Sequence, residues 1–349
     1  MTIDRDPAVI RTEPAVDAPV GEAVLMLRRK QGWKVAEIAF WLVTIAVYFV
    51  FPSKLLLMSE IAILGLFALS LDLLLGYAGI VSLGHAAFFG LGAYTAGLFA
   101  MHVSGAPLLG LVAAGGVAGV LGFASSFLVL RGSDLTRLMV TLGVSLMLVE
   151  AANQATWLTG GADGLPGMTI DPVLGLFDFD LFGRTAYLYS LAVLFVLFLI
   201  ARRLVGTPFG LSLKAIKGNL LRTQSLGIRP NLRLVAIYTI SSVYAGVAGA
   251  LLAQTTQFVS LDVLSFQRSA DGLLVLVIGG SGYLYGGLIG AIIFKILQDW
   301  ISAITAQYWL FWLGLILVVI VLFGRDRLAA GPGAFVSFIR RRSLREKSA

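Results

Sequence analysis

Residues 55–75 read LLLMSEIAILGLFALSLDLLL, and residues 76–85, GYAGIVSLGH, break that apolar run with three glycines. As an α-helix, 55–75 rises about 30 Å, the thickness of a bilayer's hydrocarbon core. Only Glu60 and Asp72 are ionisable within it. In lipid every backbone N–H and C=O must find its partner inside the segment, so an apolar run of this length crosses as a helix.

The same signature recurs along the chain. Apolar stretches at about 35–51, 83–103, 108–130, 138–158, 185–201, 234–256, 271–280, 286–305 and 308–323 complete an all-α, polytopic transmembrane helical bundle of about ten spans. The stretch 271–280 is too short to cross unless 265–270 join it, and the charge balance favours a full crossing over a re-entrant loop. Hydrophobic residues make up 58% of the 349 residues and charged ones 13%, too few polar groups to cover a soluble domain. There is no cysteine, hence no disulfide and no thiolate metal site.

The net charge of +7 sits in short loops beside the spans, where it sets orientation and meets anionic lipid rather than nucleic acid. Loops assigned outside carry Lys54, Arg184 and Arg268, whereas most other Lys and Arg fall on the alternate loops. The excess predicts cytoplasmic N- and C-termini. The expected organisation is a disordered cytoplasmic tail over 1–34, a transmembrane domain over 35–325 with a cytoplasmic segment at 207–233, and a basic cytoplasmic tail over 326–349.

Energy and chemistry must come from elsewhere. The chain has no G-x-x-x-x-G-K-[ST] phosphate loop, no H-E-x-x-H zinc motif and no G-x-S-x-G nucleophile elbow. It is not expected to be an enzyme, and no catalytic residue, metal or cofactor is assigned.

Ionisable residues inside the spans are Glu60, Asp72, His85, Glu150 and Lys295. Each costs roughly 2.5–3.5 kcal/mol at mid-bilayer on insertion scales, so each needs a partner or a wet cavity. Glu150 and Lys295 fall near mid-span and are candidates for a buried charge pair, whether for packing or for transport. Glu60 and Asp72, near the ends of their span, have interfacial explanations. His85 reads as a packing histidine. Two glycine-rich breaks, 76–85 and 278–287 (IGGSGYLYGG), interrupt apolar runs in the two halves of the chain. Interrupted helices expose backbone where a substrate passes, although tight loops and small-residue packing, as at Gly115/Gly119 and Gly286/Gly290, give the same pattern. The candidate pathway residues are Gly79, Ser82, Gly84, His85, Tyr94, Gly279, Gly280 and Ser281. The segment 207–221 (TPFGLSLKAIKGNLL) forms a short amphipathic helix that stops near Leu226-Gly227. It suits either docking of a soluble partner or a lipid surface.

The run GYAGIVSLGHAAFFGLGAY at 76–94 closely resembles the signature of LivM-type permeases of the branched-chain amino acid ATP-binding-cassette transporters. TGGADG at 159–164, KAIK at 214–217 with Leu226-Gly227, AGVAGA at 245–250 and VIGGSGYLYGG at 277–287 extend the resemblance over about 55–325. It implies an importer subunit in the bacterial inner membrane that conducts leucine, isoleucine and valine. Urea, amides or aromatic acids are the alternative cargo within the family, and a self-sufficient secondary carrier the alternative outside it. The implied partners are a sister permease of LivH type, two ATP-binding subunits of LivG and LivF type, an extracytoplasmic binding protein and membrane lipid. The resemblance makes 207–227 the coupling helix, with Gly210, Lys214, Ala215, Lys217, Leu220, Leu221, Leu226 and Gly227 at the ATPase. Family members commonly carry acidic residues just after the basic stretch. Here Gly218-Asn219-Leu220-Leu221 stands there, so docking is expected to lean on apolar surface.

Overall fold

The computed structural model describes residues 35–173, 175–180, 182–304, 307, 308, 311, 312, 314–316 and 318. The tails expected at 1–34 and 326–349 and most of the span expected at 308–323 lie outside these residues. Among the described residues all extended elements are helical, and β pairing is confined to the isolated bridges Leu165–Val259 and Val173–Phe177. The first helix, α1 (Val35–Val50), forms a unit by itself. Its 16 residues rise about 24 Å, somewhat less than a hydrocarbon core.

From Phe51 onward the chain forms a second unit. It contains α2 (Leu55–Leu71), α3 (Ala86–His102), α4 (Pro107–Val129), α5 (Asp134–Gln154) and α6 (Arg184–Gly206). Two short helices follow, α7 (Pro208–Gly218) and α8 (Leu220–Ser225), and then α9 (Pro230–Thr256), α10 (Phe266–Gly279) and α11 (Leu284–Ile304). Among the described residues, six helical stretches are long and apolar enough to cross a membrane: Pro52–Ala78, Pro107–Val129, Asp134–Gln154, Arg184–Gly206, Pro230–Thr256 and Leu284–Ile304. α1 and α3 are shorter apolar helices.

α2 is the most enclosed of the six, with 94% of its most apolar window buried, against 11% for α5. It packs on α6, α9 and α11, while α9 packs on α3 and α4. Small residues permit those approaches. A Cβ at Gly92 of α3 would meet the backbone of Gly246 on α9, and one at Gly249 would meet the Phe89 carbonyl. Gly115 and Gly119, expected as packing glycines, face Val243 and Val247 of α9. Buried polar groups bridge the same helices. The Tyr189 hydroxyl donates to Gln254 Oε1 (2.9 Å), and Gln254 Nε2 donates to the Pro107 carbonyl (2.8 Å).

Connections gather in two sets. Leu165 N donates to the Val259 carbonyl (2.7 Å), Asp171 N donates to the Gly105 carbonyl (2.9 Å), and Gly183 lies against Leu56. This set joins the turn before α2 to the loops expected outside. The other set joins the breaks after α2 and α10 to α7. α10 explains how the short stretch 271–280 passes between them. Val259 is paired at the first set and Gly282 at the second, so 259–282 runs from one to the other. The first part is irregular, with Val263 and Leu264 buried, and the helix itself begins at Phe266. The loop expected over 257–270 is therefore loop only as far as Ser265, whose side chain caps α10 by accepting from Arg268 N. Arg137, expected in the loop before the fifth span, lies within α5 and pairs with Asp134 at 2.9 Å.

Candidate functional site

The two glycine-rich breaks meet. α2 does not stop at Leu71 but continues through a π-helical turn, Asp72–Ala78, which ends on Gly79 in the left-handed region (φ 77°). Such wider turns leave irregular backbone hydrogen bonding and recur at functional sites. Asp72 is fully buried in this turn, and its Oδ1 accepts from Gly282 N in the second break at 2.6 Å. Its other oxygen, Oδ2, has no hydrogen-bond partner. The interfacial role expected of Asp72 is thereby corrected: the carboxylate ties one break to the other. The close approach depends on Gly76, where a Cβ would collide with Asp72 Oδ1 and Gly282 N.

The segment after α6 reaches the same point. Lys217 Nζ of α7 donates to the Gly76 carbonyl at 2.8 Å, its stem crosses Gly79, and Lys214 Nζ lies over the Tyr77 ring at 5.1 Å. Gly210 packs on the Val205 backbone and so sets the tight turn from α6 into α7. Ala215 is exposed. The expected single helix is broken at Asn219, which is extended (φ −159°, ψ 108°) and whose side chain accepts from Arg222 N to start α8. Beyond the break Leu221 and Leu226 are 74% and 73% exposed, and Leu220 is 43% exposed. Gly227 follows with φ 81°, which suits a helix stop.

The remaining pathway candidates divide. Gly84 sits against the Thr141 carbonyl, and Ser82, His85 and Tyr94 are buried. Ser241 Oγ donates to the Ser70 carbonyl (2.6 Å), so at 3.0 Å it accepts from His85 Nε2, which fixes that nitrogen as the protonated one. Phe67 and Phe88 flank the ring, as expected of a packing histidine. Gly279 lies against the Gly286 carbonyl, Gly280 has φ 93°, and Ser281 is exposed at the second break.

The charge pair expected between Glu150 and Lys295 is replaced. Lys295 Nζ of α11 meets Glu60 Oε2 of α2 at 2.7 Å, while Glu150 accepts from Gln154 one turn along its own helix. Antiparallel α2 and α11 bring Glu60 and Lys295 side by side, and Lys54 with Asp299 repeats the pattern at 3.7 Å. Glu60, expected at an interface, pairs instead with Lys295, and Arg268, expected in an outer loop, stands in α10, while Ser241 and Ser269 carry no expectation from the sequence. Single polar residues on apolar helices give no periodic signal. Ser269 Oγ, for example, accepts from Ala86 N at the start of α3 across 183 positions of chain.

The family described as branched-chain amino acid transport system / permease component matches residues 54–322. The high-affinity branched-chain amino acid transport system permease proteins LivM of Escherichia coli K12 and Salmonella typhimurium LT2 are each 29% identical over 258 residues. Those matches cover 66% of this chain and 59% of the relatives' length, so the chain spans less than two thirds of them. The ribose import permease protein RbsC of Bacillus subtilis is 28% identical over 177 residues, 46% of this chain and 54% of that protein. No solved structure matches.

Proposed function

Because the chain belongs to the family of branched-chain amino acid transport permeases, we propose that it is a membrane subunit of an importer driven by ATP-binding-cassette partners. Its cargo is a branched-chain amino acid or a close relative. The chain carries about ten spans with both termini in the cytoplasm of a bacterial inner membrane. A sister permease completes the pathway, two ATP-binding subunits dock beneath it, and an extracytoplasmic protein delivers substrate. In this orientation the Lys54 end of α2 faces outward and the Asp72 end inward.

The observation that carries the proposal is the two-faced segment α7–α8. Lys217 holds the Gly76 carbonyl, and Asp72 links that turn to Gly282. On α8 and just beyond it, Leu220, Leu221 and Leu226 leave apolar surface uncovered. A partner that seats on those leucines and shifts them pulls on both breaks at once, a rigid-body switch between two packings. The exposed leucines supply the docking contact that acidic residues supply elsewhere in the family.

Two experiments test it. In liposomes with all partners, uptake should stop on ATP depletion, and uptake that continues unchanged overturns the proposal. Leu220→Glu with Leu221→Glu should abolish co-purification of the ATP-binding subunits while the chain still inserts. Normal co-purification removes the docking role.

A further inference from the structure

A second, smaller site lies part-way along α2 from the junction. A pocket of about 150 Å³ opens between α2, α3, α9, α10 and α11. One side is charged, formed by Glu60, Arg268 and Lys295, and the other is apolar, formed chiefly by Ile63, Phe67 and Leu252. Glu60 and Lys295 touch at 2.7 Å. Arg268 stands in the first turn of α10 with its guanidinium 5.9 Å from the centre of the Phe89 ring; it reaches Asp262 at 3.5 Å and lies, like Lys295, within electrostatic range of Asp271 on the same helix. Its Nε is buried and has no hydrogen-bond partner. An arginine on a pocket wall, held by its acidic neighbour only at 3.5 Å, is a place where an anionic group gains a charge-assisted hydrogen bond.

We infer that this pocket is a recognition site within the permease for a zwitterionic α-amino acid with an apolar side chain. The charges are arranged for both ends of such a molecule. Its ammonium takes the Glu60 carboxylate from Lys295, and its carboxylate lies between the freed Lys295 ammonium and Arg268. No charge is left uncompensated by the exchange. The aliphatic side chain rests on Ile63, Phe67 and Leu252. A ligand with only one of the two charges leaves an opposite charge partly desolvated and unpaired, which is costly. A neutral amide would find no counterpart for the ion pair.

The inference rests on the importer proposal for its orientation, since it puts the pocket on the outward side of the junction. It adds that the permease itself selects by charge, in addition to any selection by a delivering protein.

The test uses the assembled complex in nanodiscs, without ATP and without the binding protein, and measures displacement of radiolabelled L-leucine. L-Leucine should bind saturably, and isovalerate and isoamylamine, each lacking one charge, should compete at least tenfold more weakly. Arg268→Gln should weaken leucine at least tenfold. Glu60→Gln should erase most of the preference for leucine over isovalerate, a readout that does not depend on how much protein folds. Lys54→Gln, outside the pocket, should change neither. Absence of saturable binding, or equal competition by the singly charged analogues, overturns the site. ATP-driven uptake in matched liposomes separates the two ideas: uptake without pocket binding sinks only the site, and absence of ATP-driven uptake sinks the importer proposal.

Discussion

The two ends of α2 are held in opposite ways. Toward Lys54 the helix meets its neighbours through long charged side chains, Glu60 to Lys295 at an open pocket and Lys54 to Asp299 outside it. Toward Asp72 it meets them through backbone: Gly76 against Gly282, the Gly76 carbonyl on Lys217, and one enclosed carboxylate. Long side chains can change partners at little cost, because their rotamers are free to move. Backbone contacts cannot, because every φ and ψ around them is already committed. The first kind of joint suits exchange with a small molecule, and the second suits transmission of a displacement. One helix serves both because only about 18 Å of its length separates Glu60 from Asp72.

The contrast breaks most easily at the backbone joint. Gly76→Val should be the most damaging change, since its Cβ collides with Asp72 and Gly282. The expected loss is about 3 kcal/mol or more, seen as a collapse of folded yield in detergent gel filtration. Asp72→Ala should follow, at about 1–3 kcal/mol, because it leaves the Gly282 N–H buried without an acceptor. Asp72→Asn keeps an acceptor oxygen and should recover most of the thermal midpoint. If Asn is as poor as Ala, the hydrogen bond is not what matters. Lys217→Met should cost only about 1 kcal/mol in stability, yet it should uncouple ATP hydrolysis from uptake when both are assayed in the same vesicles. At the other joint the effects should be small. Lys295→Glu alone should lower the midpoint by the equivalent of about 1 kcal/mol, and adding Glu60→Lys should restore it. Lys54→Gln, in a pair more than half exposed on both sides, should stay within about 0.5 kcal/mol.

Much of this was legible in the sequence, for identifiable reasons. The run 55–75 announced itself because hydrocarbon admits only helix at that length. The two breaks were visible as glycine clusters, since glycine is the residue that lets backbones touch. That they touch each other was not visible, because the contact joins positions 76 and 282 and no periodicity reaches so far. The π-helical turn was hidden for the same reason. It accompanies a hydrogen bond that Asp72 accepts from a distant backbone amide, whereas by composition alone 72–78 is ordinary helix. The stop at Asn219 could have been read, as asparagine is among the best N-cap residues and the basic stretch ends just before it. Lys295 was matched to the wrong carboxylate because neither azimuth around the bundle nor relative depth between spans is legible. Glu150 and Lys295 are both expected near mid-span and Glu60 near an end, whereas the 2.7 Å contact sets Glu60 and Lys295 at one level.

The winding of Asp72–Ala78 has an angular consequence. A π turn closes five residues apart where an α turn closes four, so it advances less around the axis for each residue. Had those seven positions coiled like the rest of α2, Gly76 would point its carbonyl along a different bearing and Lys217 would reach past it. The meeting of α7 and α2 is therefore a matter of phase. A single residue added to or removed from this turn would put the two out of step while leaving each of them intact.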